Sequence, residues 1–264
     1  MIIDFHTHIY PDSTAANTLA AVCERAGVTH YTDGTLNGLL ASMRDAGIDR
    51  CVICSVATRP EQVEPIHQWL QGIRQPSIYP LATVHPDVPI NANFIGILKA
   101  QGFKGIKVHP DYQGFFIDEK AIYPLYEAAQ AEEMAILFHM GFDPGLPSPV
   151  HSTPTRMARV LKDFPRLPII AAHLGGDGMH EETERYLLGK DIYLDTSFVL
   201  QKMPMAIVER IFAKHPVERF LFGTDSPWTN QKDELNFFLS LPFLNNEEKE
   251  KITSTNPARL LGLL

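Results

Sequence analysis

Cysteine is scarce in this chain. Three cysteines occur in 264 residues, namely Cys23, Cys51 and Cys54, and this small number fits a reducing compartment and excludes the disulfide framework of a small secreted domain. Cys51 and Cys54 form a Cys-x-x-Cys pair, but they lie in a β-branched run, where a spacing of three directs two side chains to opposite faces of a strand. We therefore expect buried thiols without a redox or zinc role.

Excess positive charge and long apolar runs are also absent. The 31 acidic side chains outnumber the 23 basic ones, giving a net charge of -8, so the chain has no electrostatic footprint for nucleic acid or an anionic membrane. No apolar run approaches the roughly 18 residues of a spanning helix, and no basic leader precedes the first predicted strand. The sequence predicts a cytosolic protein acting on a small molecule, and it leaves the oligomeric state open, a homo-oligomer included.

Short apolar runs alternate with helical stretches along the whole chain. The predicted strands span residues 2–8, 50–56, 77–84, 104–109, 134–139, 168–173, 191–197 and 219–225. Such runs are typical of a parallel sheet covered on both faces. An open doubly wound sheet would place a glycine-rich phosphate-binding turn after the first strand, where this chain has His6 and His8. Eight strand and helix units predict an α/β protein with a single (β/α)₈ TIM-barrel domain over residues 1–264.

Potential metal ligands stand at the ends of five of these strands. His6 and His8 are two residues apart, so on a strand they project from one face and can hold one ion together. The candidates at later strand ends are Lys107, His109, His139, His173 and Asp225. Because barrel active sites lie at the C-terminal ends of the strands, we expect these side chains to converge on one mouth.

Five motifs contain these residues. They are His6-Thr-His8, Gly105-Ile-Lys107-Val-His109-Pro110, Phe138-His139-Met-Gly141, Ala172-His173-Leu-Gly-Gly176 and Phe222-Gly-Thr-Asp225-Ser-Pro227. Together they resemble the amidohydrolase superfamily, and within it the amidohydrolase-related branch of metal-dependent hydrolases and decarboxylases. The resemblance covers essentially the whole chain, and its motifs are specific to the family but not to a substrate.

The resemblance implies a set of metal ligands. His6, His8 and His139 would supply imidazole nitrogens, and Asp225 a carboxylate oxygen, to one divalent ion. Zinc is the leading candidate, since imidazole plus carboxylate with an open position suits it, while manganese or iron would accept the same ligands. Asp225 would then take a proton from a water activated by the ion and pass it to the leaving group.

His173 and Lys107 each have two interpretations. In binuclear relatives the sixth-strand histidine binds a second metal, and a carboxylated lysine on the fourth strand bridges the two ions. In mononuclear relatives His173 is an acid or base near the substrate, and Lys107 is a cation that binds a substrate carboxylate or pairs with Asp225. We favour one ion, with two as the alternative.

Other residues are candidates for substrate binding or for the rim. Arg59 follows the second strand and could grip a substrate carboxylate. Trp228, with Tyr112, Phe115 and Phe116, could form an apolar wall, although packing beneath a loop explains them equally well. We expect His85 and His109 at the rim. The histidines predicted to be exposed are His30, His67, His151, His180 and His215.

The sequence thus predicts a metal-dependent hydrolase acting on a C–N or C–O bond of a small substrate that can carry a carboxylate. Non-oxidative decarboxylation of a small acid with the same ligands is the second hypothesis. A metal-independent lactonase is disfavoured because the ligand set is complete. A non-catalytic binding barrel is disfavoured because a scaffold gains nothing from converging imidazoles.

Overall fold

A ring of short parallel strands forms the centre of the protein. The computed structural model describes residues 1–264. The strands are β1 (Ile3–Thr7), β2 (Arg50–Ile53), β3 (Ile78–Pro80), β4 (Ala82–Thr83), β5 (Ile106–Val108), β6 (Ile136–Phe138), β7 (Ile169–Ala171), β8 (Tyr193–Asp195) and β9 (Phe220–Leu221). Each pairs in parallel with its neighbour in chain order, apart from the step from β3 to β4. The predicted TIM barrel is confirmed, with each strand shorter than predicted.

The third predicted strand is divided into β3 and β4. Leu81 lies between them and donates its N–H to the carbonyl of Ile53, 2.9 Å away, whereas Ala82 donates to Gly105 at 2.8 Å. The chain therefore changes its partner strand at this point, directly after Pro80, which has no N–H to donate. Leu81 makes the two hydrogen-bonded sheets continuous.

The ring closes between its first and last strands. Phe5 N–H donates to Phe222 O, and Asp225 N–H donates to His6 O, both at 2.8 Å. The pairing of β1 with β2 is irregular between Asp4 and Thr7, beside His6. Irregular strand pairing of this kind is common next to active sites, where it re-aims a side chain.

Helices surround the ring. They are α1 (Asp12–Ala26), α2 (Leu36–Ala46), α3 (Val63–Gln71), α4 (Ala92–Ala100), α5 (Pro110–Gln113), α6 (Tyr123–Ala131), α7 (Pro154–Asp163), α8 (His180–Tyr186), α9 (Met205–Lys214), α10 (Gln231–Ser240), α11 (Asn246–Glu250) and α12 (Asn256–Leu260). Among these helices, the structure has none with the length and apolar character needed to cross a bilayer. Both α1 and α2 follow β1, one more helix than the standard unit, and α1 lines the cavity described below.

The core has two parts. A large cluster of buried hydrophobic residues fills the space between strands and helices. A smaller cluster contains Val52, Cys54, Leu137 and Ile170, together with Leu261, which lies just beyond α12. Cys51 belongs to the large cluster and Cys54 to the small one, and both are fully buried. The prediction of buried thiols on opposite faces is confirmed.

Two histidines predicted to be exposed are buried. His67 on α3 contacts Thr83 O through Nε2 at 2.8 Å, and His215 contacts Ile192 O through Nε2 at 2.9 Å. Their exposed fractions are 3% and 4%. The prediction was wrong because a neutral imidazole whose nitrogen reaches a backbone carbonyl can be buried at little cost.

Candidate metal centre

Three predicted ligands meet at the C-terminal end of the ring. The carboxylate atom Oδ1 of Asp225 lies 3.0 Å from His8 Nε2 and 3.4 Å from His6 Nε2. One donor atom from each of the three residues lies within 4.8 Å of the others. Two imidazole nitrogens and one carboxylate oxygen therefore face a common point, as the spacing of His6 on β1 and His8 just beyond it predicts.

The backbone around this point is strained. Asp225 has φ of 70°, Phe198 67°, His173 59° and Leu174 51°. Glu133 is the fifth such non-glycine residue, and it lies elsewhere. A residue with a side chain in this left-handed backbone conformation costs about 1–3 kcal/mol, and such residues concentrate at functional sites. The fold thus keeps unfavourable backbone conformations at the C-terminal ends of β7, β8 and β9, where polar side chains enter the site.

Asp195, at the end of β8, orients His6 and is a residue that the sequence analysis did not single out. Its Oδ2 accepts a hydrogen bond from His6 Nδ1 at 2.9 Å, and its Oδ1 accepts from His173 N–H at 3.1 Å. Burial raises the pKa of this carboxyl, but the neighbouring His6 and the hydrogen bonds more than offset burial and hold the pKa below its usual value.

The carboxylate fixes the tautomer of His6. Because an ionised Asp195 can only accept, the proton of His6 lies on Nδ1, and Nε2 keeps its lone pair on the side of Lys107 and Asp225. Burial, followed by the nearby Lys107, lowers the pKa of His6 to about 4. The imidazole is consequently in its neutral form, which is the form that binds metals.

Lys107 lies beside the same ligands. Its side chain is 1% exposed, and Nζ lies 3.1 Å from His6 Nε2. Its hydrogen-bond partner is thus His6, whereas Asp225 was the partner expected for a simple ion pair. Burial lowers the pKa of the Lys107 amine. This position is compatible with a bridging carboxylated lysine and with a cation at the inner end of the cavity.

His139 and His173 form a hydrogen-bonded pair next to the three ligands. His173 Nδ1 donates to Ser197 O at 3.0 Å, so its Nε2 accepts from His139 Nδ1, 3.1 Å away. His139 is not part of the group formed by His6, His8 and Asp225. Its Nε2 is buried and has no hydrogen-bond partner. His139 therefore has an available lone pair, but a shared ion with the other three would require a change in its ring orientation.

A second group combines His139 with His109 and Asp143. His109 contacts Asp143 Oδ2 through Nε2 at 3.1 Å, and its ring stacks on that of His139 with centroids 3.9 Å apart and planes at 11°. Imidazole lone pairs lie in the ring plane, so two stacked rings direct them side by side and not toward one ion. This group is better described as a stack that orients His139, and the rim residue predicted at position 109 is buried.

A cavity of about 1080 Å³ opens over the site. It is lined by the three predicted substrate-binding residues, Arg59, Lys107 and Trp228. Arg59 is exposed and its Nε donates to Glu61 Oε1 at 2.8 Å. Trp69 and Tyr112 line the cavity as well, whereas Phe115 and Phe116 do not. Of the four predicted wall residues, Tyr112 and Trp228 thus line the cavity, and Trp69 joins them.

The residues present fit a divalent ion. Two imidazoles and an ionised carboxylate are donors that zinc, manganese and iron accept. Burial raises the pKa of Asp225, but His6 and His8 more than offset this and hold the pKa well below its usual value. The hydrogen bond from His6 to Asp195 is the carboxylate–histidine contact typical of metal ligands. Fold and site together define a TIM barrel with a candidate metal centre at its mouth.

Comparison with known proteins agrees with this description. Residues 3–263 match the amidohydrolase family profile, and the chain belongs to that family. An uncharacterized TIM-barrel protein of Bordetella bronchiseptica is 20% identical, with a TM-score of 0.77 over 99% of this chain and 98% of the other. A search of curated proteins finds no match to the sequence.

Two further solved structures share the fold. A dihydroxybenzoic acid decarboxylase of a Polaromonas species, solved with bound manganese and the inhibitor 2-nitroresorcinol, is 17% identical with a TM-score of 0.73 over 99% of this chain and 97% of its own. A putative 2-pyrone-4,6-dicarboxylic acid hydrolase of Pseudomonas putida is 15% identical with a TM-score of 0.69 over the same shares. At these identities the likeness establishes the fold alone.

Proposed function

We propose that this protein is a metal-dependent hydrolase that cleaves a C–N or C–O bond of a small substrate. The observation that carries the proposal is the convergence of His6, His8 and Asp225 within 4.8 Å at the floor of a large cavity. The negative net charge supports a free small molecule as the substrate and argues against nucleic acid or an anionic membrane. The scarcity of cysteine supports action in the cytosol.

The chemistry follows from the positions of the side chains. His6, His8 and Asp225 would hold a divalent ion, which when bound would lower the pKa of water and polarise a carbonyl oxygen. Asp225 is ionised and faces the same point, so it can take the proton of the attacking water and deliver it to the leaving atom. His173 donates through Nδ1 to Ser197 O, which leaves its Nε2 directed toward His139 at the inner end of the site.

We propose one zinc ion, held by His6, His8 and Asp225 with His139 as a fourth ligand. His139 would join after a rotation of its ring, which its unpartnered Nε2 supports. His173 and a carboxylated Lys107 would serve a second ion only in the binuclear alternative. Manganese is the next candidate, because the Polaromonas decarboxylase of the same fold was solved with that ion.

Decarboxylation is the second candidate reaction. It is favoured by the dihydroxybenzoic acid decarboxylase among the structural neighbours. In this reaction His173 and Asp225 would transfer the proton at the carbon that loses CO₂. Lys107 or Arg59 would bind an acidic group of the substrate.

The two reactions are separated by their products. The protein loaded with zinc, and in parallel with manganese, is incubated with carboxylated lactones and amides and with hydroxybenzoates, while acid release and CO₂ release are both measured. Our proposal predicts acid release that a chelator abolishes and zinc restores. CO₂ release from the hydroxybenzoates alone would favour the second candidate, and inactivity with both ions and all substrates would contradict both.

A further inference from the structure

Arg25, in the last turn of α1, lies in the wall of the cavity and was not singled out by its sequence context. The guanidinium carbon lies 4.6 Å from the centroid of the Tyr112 ring. Its Nη2 also donates to the Tyr112 hydroxyl. A Cβ atom at Gly145 would come within 3.0 Å of Arg25 Nε, so the absence of a side chain at Gly145 makes room for this placement.

Arg25 differs from Arg59, the other arginine that lines the cavity, because no carboxylate pairs with it. Arg59 is bound to Glu61 at 2.8 Å, and Asp143 is bound to His109 at 3.1 Å. The one polar partner of Arg25 is the hydroxyl of Tyr112. A guanidinium has five N–H donors, so most of the donors of Arg25 remain available to an anion in the cavity.

Tyr112 is itself held in place. The edge of its ring meets the ring of His109, with centroids 4.3 Å apart and planes at 84°. Burial, followed by the charge of Asp143, raises the pKa of Tyr112 to about 12, so the hydroxyl keeps its proton and can donate to an anion. An arginine stacked on a fixed aromatic ring loses less side-chain entropy on binding a carboxylate than a free one does.

We propose that Arg25 and Tyr112 form a carboxylate-binding subsite at the outer part of the cavity. From there a substrate would extend past His109 toward the candidate metal centre, with its apolar body against Trp69 and Trp228. The inference deepens the proposed function by assigning the carboxylate of the substrate to a position remote from the metal. Binding of the anion itself does not require turnover, so it can be tested separately.

Tryptophan fluorescence provides the measurement. The chain has two tryptophans, and both line this cavity. The full-length protein is titrated with benzoate and with its neutral analogue benzamide, before and after treatment with a chelator. We expect saturable quenching by benzoate that survives chelation, and Arg25→Met should weaken benzoate binding by about 10- to 100-fold while leaving benzamide unchanged. Arg25→Lys should fall between the two, since it retains charge but not the planar fork.

Arg44→Met is the matched control. Arg44 occupies the last turn of α2, which is followed by Gly47 with φ of 73°, just as α1 is followed by Gly27 with φ of 65°. Loss of the favourable charge at a helix C-terminus is therefore common to both variants, and Arg44→Met should bind benzoate as the wild type does.

Four outcomes would overturn the subsite. These are the absence of saturable benzoate binding, an affinity of Arg25→Met within about twofold of wild type, a loss produced by Arg59→Met in its place, and dependence of benzoate binding on the metal. If benzoate binding depends on Arg25 but no hydrolysis is ever detected, the subsite stands and the proposed reaction fails. The two ideas can thus fail independently.

Discussion

Replacing Asp195 by asparagine tests how the protein prepares His6 for a metal. Three donors converge on Oδ1 of Asp195: His173 N–H and Ser197 N–H at 3.1 Å, and the Ser197 hydroxyl at 2.5 Å. The fourth donor, His6 Nδ1, faces Oδ2 at 2.9 Å. In Asp195→Asn the amide oxygen should take the Oδ1 position, which leaves the NH₂ group facing His6.

This arrangement forces a change of tautomer. Two donors cannot face one another, so His6 must move its proton from Nδ1 to Nε2, and Nε2 then has no lone pair for an ion. Loss of such a supporting contact typically lowers metal affinity by about 10- to 100-fold. That factor corresponds to about 1.4–2.8 kcal/mol. We expect the upper end, because the ligand atom itself is protonated.

Zinc affinity is measured by competition with a chromophoric chelator, and ¹⁵N NMR of the imidazoles reports the tautomer. Glu234→Gln is the control for an isosteric amide in a buried position, since Glu234 is 4% exposed and accepts from Gln201 at 2.9 Å outside the centre. It should retain wild-type affinity. Zinc affinity of folded Asp195→Asn within about twofold of wild type, or an equal loss in Glu234→Gln, would refute the reasoning.

Three further predictions concern the reaction, the number of ions and stability. Asp225→Asn should keep a substantial part of its metal while turnover falls about 10²- to 10⁴-fold, as measured by elemental analysis and initial rates, and near wild-type turnover would remove Asp225 as the base. Zinc titration should restore activity at one equivalent, whereas a plateau at two, increased by bicarbonate, would indicate a carboxylated Lys107. His215 donates from Nε2 to Ile192 O and accepts the Gly189 N–H at 3.1 Å, and burial lowers its pKa to about 4. The unfolded chain binds this proton near pH 6.5, so stability should fall as pH drops from about 6.5 to 4; His215→Gln should reduce that fall by roughly 3 kcal/mol at most in denaturant titrations.

The barrel could be predicted because its signals are local. Each strand is a short β-branched run. The spacing of His6 and His8 brings both imidazoles close to the same carboxylate oxygen of Asp225. The role of Asp195 could not be predicted in this way, because its partner His6 lies 189 residues away. The polar run Asp195-Thr-Ser197 at the end of a predicted strand was the one available signal.

Other side chains were missed because their environment depends on packing. His67 and His215 are buried by the face that their helix or loop presents to the barrel, and a backbone carbonyl satisfies each ring. Arg25 lies on α1, the first of two helices between β1 and β2, and its position over the cavity depends on how this helix packs on the barrel. The stack of His109 on His139 joins residues that directly follow two separate strands, β5 and β6, and it has no signature in the spacing along the chain.

Anomalous diffraction at the zinc edge, from crystals grown with one equivalent of zinc, tests the central claim most directly. The account predicts one strong peak about 2.0–2.2 Å from His6 Nε2, His8 Nε2 and the Asp225 carboxylate. A peak among His109, His139 and Asp143 with none at the predicted position would contradict the account, as would the absence of bound zinc.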